Sequence, residues 1–263
     1  MTQQVYVTGS SGMLGRGLLA SLDHAGFAVT GVARPAPSGS APSGAGALPE
    51  RAQIVAPDLL GGAWLPDQET GATVVHCAGL SSARAPFEGV GDLVQREVLA
   101  QIGMVEALVA RGWHGHLVYL SSAAVYGDPE TLPISEAEPT RPKGYYALQK
   151  VMIEDALRFL ASLHGFALTI LRVANSYGTA HPETERGVLR LLLDAARDGT
   201  PFTVFGGGGG LRDYLHVSDF GAAVAQVCAR PPETPRCLNL GSGQGTSLTD
   251  LIAEVERATG RDL

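Results

Sequence analysis

The stretch TGSSGMLG, residues 8–15, stands between a short apolar run at residues 5–7 and a helical pattern of Leu14, Leu18, Leu19 and Leu22. Strand, tight turn and helix follow one another in that order. Gly9 permits the turn, Gly12 leaves room for a pyrophosphate against the backbone, and Gly15 lets the helix pack closely on the strand. Backbone N–H groups at the helix start, in the stretch that holds Ser11, Met13 and Leu14, then face the anion. Glycines alone make a weak pattern, but at the first strand-helix junction they point to a dinucleotide site rather than to a plain glycine-rich turn.

The alternation continues beyond this junction. Residues 29–33, 53–55, 73–77, 116–120 and 168–173 read as strands, most of them followed by a helical pattern. Strands separated by helices predict an α/β fold with a Rossmann-type doubly wound parallel sheet. From about Tyr177 the alternation lapses: a helical VLRLLLDAARDG leads to PFTVFGGGGGLRDYLHVSDF, another helix, a short strand in CLNLGSG and a last helix. The expected division is a dinucleotide-binding domain over 1–176 and a smaller, mostly substrate-binding lobe over 177–263. The two are interleaved, with about 213–230 returning to the first. Between the second and third strands, RPAPSGSAPSGAGALPE offers almost nothing to bury and predicts a loop of unusual length.

Composition narrows the function classes. With 45% apolar and 17% charged residues in 263, the chain can bury a substantial core. A net charge of -7 leaves no basic excess for a phosphate backbone or an acidic lipid surface, so neither nucleic acid nor membrane is an expected partner. No apolar run reaches the ~20 residues that span a bilayer, and the N-terminus lacks a secretory pattern, so the expected location is cytoplasmic. Cys77, Cys228 and Cys237 match no zinc spacing and read as reduced core thiols. His114 and His116, without a third ligand, read as a solvated turn, and no metal site is expected.

At the end of the second strand, where a carboxylate would grip the adenosine ribose, the chain has Ala33 and Arg34. A guanidinium suits the 2'-phosphate of NADP, so the cofactor expectation leans to NADP over NAD, the alternative being that Arg34 is simply the solvated start of the long loop. Asp58, with Leu59 beside it, is a candidate partner for the adenine, its alternative being a helix cap. Further on, GYYALQK at residues 144–150 puts Tyr146, not Tyr145, four residues before Lys150, so that both share one helix face. Taken alone, such a pair is as readily a surface contact as an acid/base couple.

Several ordered motifs together are more specific. The glycine turn, HCAG at 76–79 with Ala78, SSAAVYG at 121–127, Tyr146 with Lys150, LRVANSYG at 171–178, RDYLHVSD at 212–219 and NLGSG at 239–243 give a chain that resembles the extended short-chain dehydrogenase/reductase family. That family includes nucleotide-sugar epimerases, dehydratases and ketoreductases. The resemblance implies Tyr146 as acid/base, Lys150 lowering its pKa and binding the nicotinamide ribose, and Ser122 hydrogen-bonding the reacting oxygen. It implies Asn175 and Arg212 on the diphosphate of a nucleotide sugar. A guanidinium fork suits phosphate oxygens, the alternative being a salt bridge of Arg212 with Asp213 or Asp219.

The departures matter as much. Related dehydratases carry an Asp-Glu pair where this chain has Ala123 and Ala124, which removes the means to eliminate water. Glu97 stands where the resemblance leads one to expect Asn, and the chain stops at Leu263, sooner than relatives of this kind. The expected activity is therefore hydride transfer by an epimerase or ketoreductase. Alternatives are a reductase of a small non-sugar carbonyl compound and a non-catalytic NADP-binding regulator. The helices at about 92–111 and 144–163 are apolar, and in the resembling family such helices pair across a two-fold axis, so the resemblance implies a homodimer, unless those faces merely cover the sheet.

Overall fold

The computed structural model describes residues 2–33, 53–55, 61–79, 87–178, 187–204 and 206–263. Arg34, Asp58, Leu59 and the long stretch after the second strand lie outside the described residues. Seven parallel strands form the main sheet: β1 (Gln4–Thr8), β2 (Ala28–Ala33), β3 (Gln53–Val55), β4 (Thr73–His76), β5 (His116–Ser122), β6 (Ala167–Val173) and β9 (Arg236–Leu240). Their order is β3-β2-β1-β4-β5-β6-β9, the doubly wound arrangement that the sequence predicts.

The strands alternate between two cores because successive side chains point to opposite faces. Tyr6, Leu117, Tyr119, Leu168 and Ile170 face helices α3 (Leu99–Ala110) and α4 (Tyr145–His164). Val5, Val7, Val118, Leu120, Leu171 and Val173 face α1 (Met13–His24) and α6 (Val217–Cys228). Both faces being covered, the central strands are mostly apolar, as parallel sheets require, with buried polar exceptions such as His76, Ser121 and Arg172. In α4 the buried Ile153, Leu157, Leu160 and Ala161 recur at helical spacing, and Gly165 ends the helix at φ 74.

The expected single helix over 92–111 is instead α2 (Val90–Leu93), a π-helical turn Val94–Val98 and α3. Glu97 lies in the π-turn, a distortion that often marks functional sites and that no periodicity argument reveals. His116 also differs from expectation. Rather than lying in a solvated turn it begins β5, buried, with Nε2 2.9 Å from Thr169 Oγ1, while His114 alone is exposed.

A small sheet of β7 (Asn175–Tyr177), β8 (Arg212–His216) and β10 (Gly245–Thr246) stands beyond the ends of β6 and β9. Leu192 and Ala196 of α5 (Val188–Asp198) pack there on Leu251 and Val255 of α7 (Leu248–Thr259). The chain's return to the main domain runs through α6 and β9, residues 217–240, further than the expected 213–230, because the apolar CLNL segment pairs with β6. Phe220 of α6 is fully buried against the sheet. Truncating it to alanine is expected to cost about 3–5 kcal/mol, read as a lower urea midpoint at unchanged slope.

Candidate active site

The glycine turn closes on itself and on the neighbouring strand. Gly12 N–H donates to Gly9 O at 3.0 Å, and Cys77 N–H donates to Thr8 O at 3.2 Å. Gly9 sits at φ +69, and a Cβ there would lie 2.7 Å from the Ala78 nitrogen. One at Gly15 would lie 2.7 Å from the Ser10 Cα. Only glycine fits either place, and the turn is thereby pressed against Ala78. Gly12 caps α1 with extended backbone and no side-chain hydrogen bond, so the first N–H groups of the helix, beside Met13 and Leu14, are left to an anion. Ser11 is exposed at the rim. These features fit the pyrophosphate of a dinucleotide.

Lys150 lies at the centre of the second cluster. It is buried, its Nζ donates to Leu120 O at 2.8 Å, and it lies 5.9 Å from the Tyr146 ring centre. Ser122 ends β5 two residues after Leu120, its Oγ accepting from Ala124 N–H at 3.2 Å. The strand end and the start of α4 therefore bring Ser122, Tyr146 and Lys150 into one region, with the Gly9–Ala78 contact one strand away. Below Lys150 lies Tyr119, its ring centre 4.9 Å from Nζ and stacked on His76 at 6.0 Å. Burial, and then the nearby Tyr146, Glu154 and Glu97, push the Tyr119 phenol well up, so it holds its proton. Burial and the Lys150 charge lower His76 to about 3, leaving a neutral imidazole 2.7 Å from Thr8 Oγ1.

Sequence reasoning passed over the ionic network beneath this cluster. Glu154, one turn past Lys150, is 1% exposed and receives Arg172 Nη2 at 2.7 Å and Nε at 3.1 and 3.3 Å. Ser121 Oγ donates to it at 2.5 Å and Arg158 Nη2 at 2.8 Å. Arg172 Nη1 also donates to Tyr126 Oη at 3.0 Å, whose hydroxyl donates to Asn239 Oδ1 at 2.6 Å. Burial alone would raise the Glu154 carboxyl, but these donors and the Arg172 charge hold it below the ordinary carboxylate range. The available signal was an arginine inside the apolar LTILRV strand, since buried charges are seldom unpaired.

Toward the small lobe, Asn175 on β7 donates through Nδ2 to Asp213 O at 3.3 Å. Arg212 opens β8, exposed, with Nη1 on the carbonyl of Leu211. The Asp213 carboxylate instead accepts from Ser242 N, Ser242 Oγ and Gly243 N, each at 2.8 Å, and so clamps the GSG loop after β9. Asp219 receives Ser218 Oγ at 3.3 Å.

Removing Lys150 from water lowers its pKa from 10.5 to about 8, the carboxylates of Glu97 and Glu154 offsetting part of the fall. The unfolded chain keeps that proton to higher pH, so the stability owed to this group rises between about 8 and 10.5. Lys150→Met is expected to be more thermostable relative to wild type at pH 7 than at pH 10, in melts followed by circular dichroism.

The model for the NAD dependent epimerase/dehydratase family matches residues 5–241. The UDP-glucose 4-epimerase of Corynebacterium glutamicum is 31% identical over 203 residues, covering 72% of this chain and 61% of that protein. This chain thus spans about three fifths of that relative's length. The GDP-6-deoxy-D-mannose reductase of Pseudomonas aeruginosa is 29% identical over 266 residues, covering 96% of this chain and 79% of the reductase. Among solved structures, MoeE5 in complex with UDP-glucose and NAD has a TM-score of 0.80 at 27% identity, covering 98% of this chain and 83% of that one. With the glycine turn, the Tyr146–Lys150 pair and a family match running from β1 to the end of β9, the chain belongs to the NAD dependent epimerase/dehydratase family.

Proposed function

We propose that this protein is an NAD(P)-dependent epimerase or ketoreductase that transfers hydride at a carbinol or keto carbon of a nucleotide sugar. The observation that carries the reading is the buried Lys150 ammonium, pinned on the Leu120 carbonyl and 5.9 Å from the Tyr146 ring centre. Gly9, Ser11, Gly12, Met13, Leu14, Gly15 and Ala78 would hold the dinucleotide, with Tyr146 and Lys150 at its nicotinamide end. When bound, the nicotinamide accepts and returns the hydride.

The residues of the chain handle the proton. A free phenol, with a pKa near ~10, is a poor base at neutral pH, and a neighbouring ammonium favours its ionised form. Tyr146 would then take the carbinol proton as the hydride leaves and give it back on reduction. The Ser122 hydroxyl would donate to the same oxygen as negative charge develops there. Arg212 and Asn175 would hold the diphosphate, Arg212 being free to do so because the Asp213 carboxylate is engaged with the GSG loop. Ala123 and Ala124, in the 3-10 turn after Ser122, offer no acid or base for eliminating water, so dehydration is outside this reading.

Two relatives support the two outcomes, an epimerase and a reductase, and MoeE5 in complex with UDP-glucose and NAD supports the ligand class. Mass spectrometry of the purified protein separates them: a retained NAD favours the epimerase, and an empty protein that prefers NADPH favours the reductase. The leaning to NADP rests on Arg34. Leu99, Phe159 and Leu163 leave 57%, 67% and 62% of their surface exposed on α3 and α4, which supports a homodimer through those helices. The three free cysteines fit a reducing compartment such as the cytoplasm.

Tyr146→Phe is expected to lower turnover of UDP-glucose by about 10²–10⁴-fold while NADH and NADPH binding, followed by nicotinamide fluorescence, stays within twofold. A variant that binds neither cofactor, or one that turns over normally, would overturn the assignment. Phe159→Asp is expected to shift the protein from dimer to monomer in sedimentation velocity.

A further inference from the structure

We infer that Ser121 and Tyr126, acting through the buried Glu154–Arg172 pair, are positioning residues that set Tyr146 against Ser122. The inference rests on the acid/base roles proposed above.

Two pegs fix α4 on β5: Lys150 on the Leu120 carbonyl and Glu154 on the Ser121 hydroxyl. The pegs are consecutive residues on the strand and one helical turn apart on α4, so the helix can neither slide nor rotate without breaking one of them. Tyr146 stands a further turn along the same face. Its ring centre lies 5.9 Å from the pegged Lys150 Nζ, so the ties that hold Lys150 and Glu154 on β5 also fix the end of α4 that carries the phenol.

The same pair also pins the connection that joins Ser122 to Tyr146, residues 123–145. Arg172 holds the Tyr126 hydroxyl, Tyr126 holds Asn239, and Asn239 returns to the connection twice. Its Nδ2 donates to Ile134 O at 2.8 Å, and its backbone N–H donates to Glu136 Oε1 at 3.0 Å. The start of the connection is thus tied directly to the Arg172 guanidinium, and its middle through Tyr126 and Asn239. A buried ion pair of this kind is weak as a source of stability, because desolvation consumes most of the attraction. Its directional hydrogen bonds are what a site needing fixed geometry gains from it.

Ser121→Ala and Tyr126→Phe each delete one hydroxyl and leave the ion pair whole. Three measurements are made on each: turnover of UDP-glucose, fluorescence titration with NADH, and ultraviolet difference titration of the Tyr146 phenol, taken against Tyr146→Phe. We expect kcat to fall roughly tenfold, KM and NADH affinity to hold within twofold, and the Tyr146 phenol to titrate at higher pH as it moves off Lys150. Ser121→Thr, which keeps a hydroxyl, is expected to restore both kcat and the titration. Unchanged kcat and phenol titration in both variants would overturn the inference, as would a loss of kcat that only follows a fall in thermal midpoint. If Tyr146→Phe itself turns over normally, the acid/base reading fails first and takes this one with it. An inactive Tyr146→Phe beside fully active Ser121→Ala and Tyr126→Phe sinks the positioning role alone.

Discussion

An ammonium held out of water is the constraint around which the centre of the molecule is arranged. Lys150 sits between α4 and the sheet with a carbonyl, an aromatic face and distant carboxylates in place of solvent. Such burial is costly unless each proton of the ammonium finds an acceptor or a negative field. The Leu120 carbonyl, the Tyr119 ring and the charges of Glu97 and Glu154 offset part of this cost, and the lowered pKa is what remains of it. Two phenols consequently lie beside one cation in different surroundings. Tyr119 is fully enclosed and stays neutral, whereas Tyr146 is only partly buried at the helix start. Position in the fold, rather than residue type, separates a supporting ring from a candidate base.

Much of this was legible in the sequence. The glycines at 9, 12 and 15 each have one physical task, and the structure bears out two of them through contacts that a Cβ would violate. The order of strands and helices follows from hydrophobic period alone, since both sheet faces are covered. Illegible were the features made by side chains meeting from distant segments. Ser121 and Glu154 are 33 residues apart, and Tyr126 and Asn239 are 113 apart, with no local pattern marking either pair. The π-turn at Val94–Val98 escaped for another reason. A single extra residue per turn leaves the apolar spacing nearly intact, so the helix reads as continuous.

The small lobe shows how the site draws on both parts of the chain. β7 and β8 pair in parallel directly after β6 and before α6, so Asn175 and Arg212 are delivered by strands that grow out of the main domain. The carboxylate of Asp213 then fastens the loop after β9 to β8, linking the two sheets a second time. Among the described residues, hydrophobic packing within the lobe is limited to α5, α7 and a few neighbours such as Phe202 and Tyr214. Its placement therefore depends on polar ties at the junction more than on a core of its own.

The late return of β9 to the sheet has a consequence for the order in which the protein is made. β6 is buried along nearly its whole length and pairs with β9, which is more than sixty residues further along the chain. During synthesis β6 emerges with one hydrogen-bonding edge open, and it stays open until β7, α5, β8 and α6 have passed and β9 follows. A nascent chain halted near residue 176 would present that edge to any neighbour able to add a strand. Sheet closure in this molecule is a long-range event, and loop-closure entropy makes it one of the slower steps of folding.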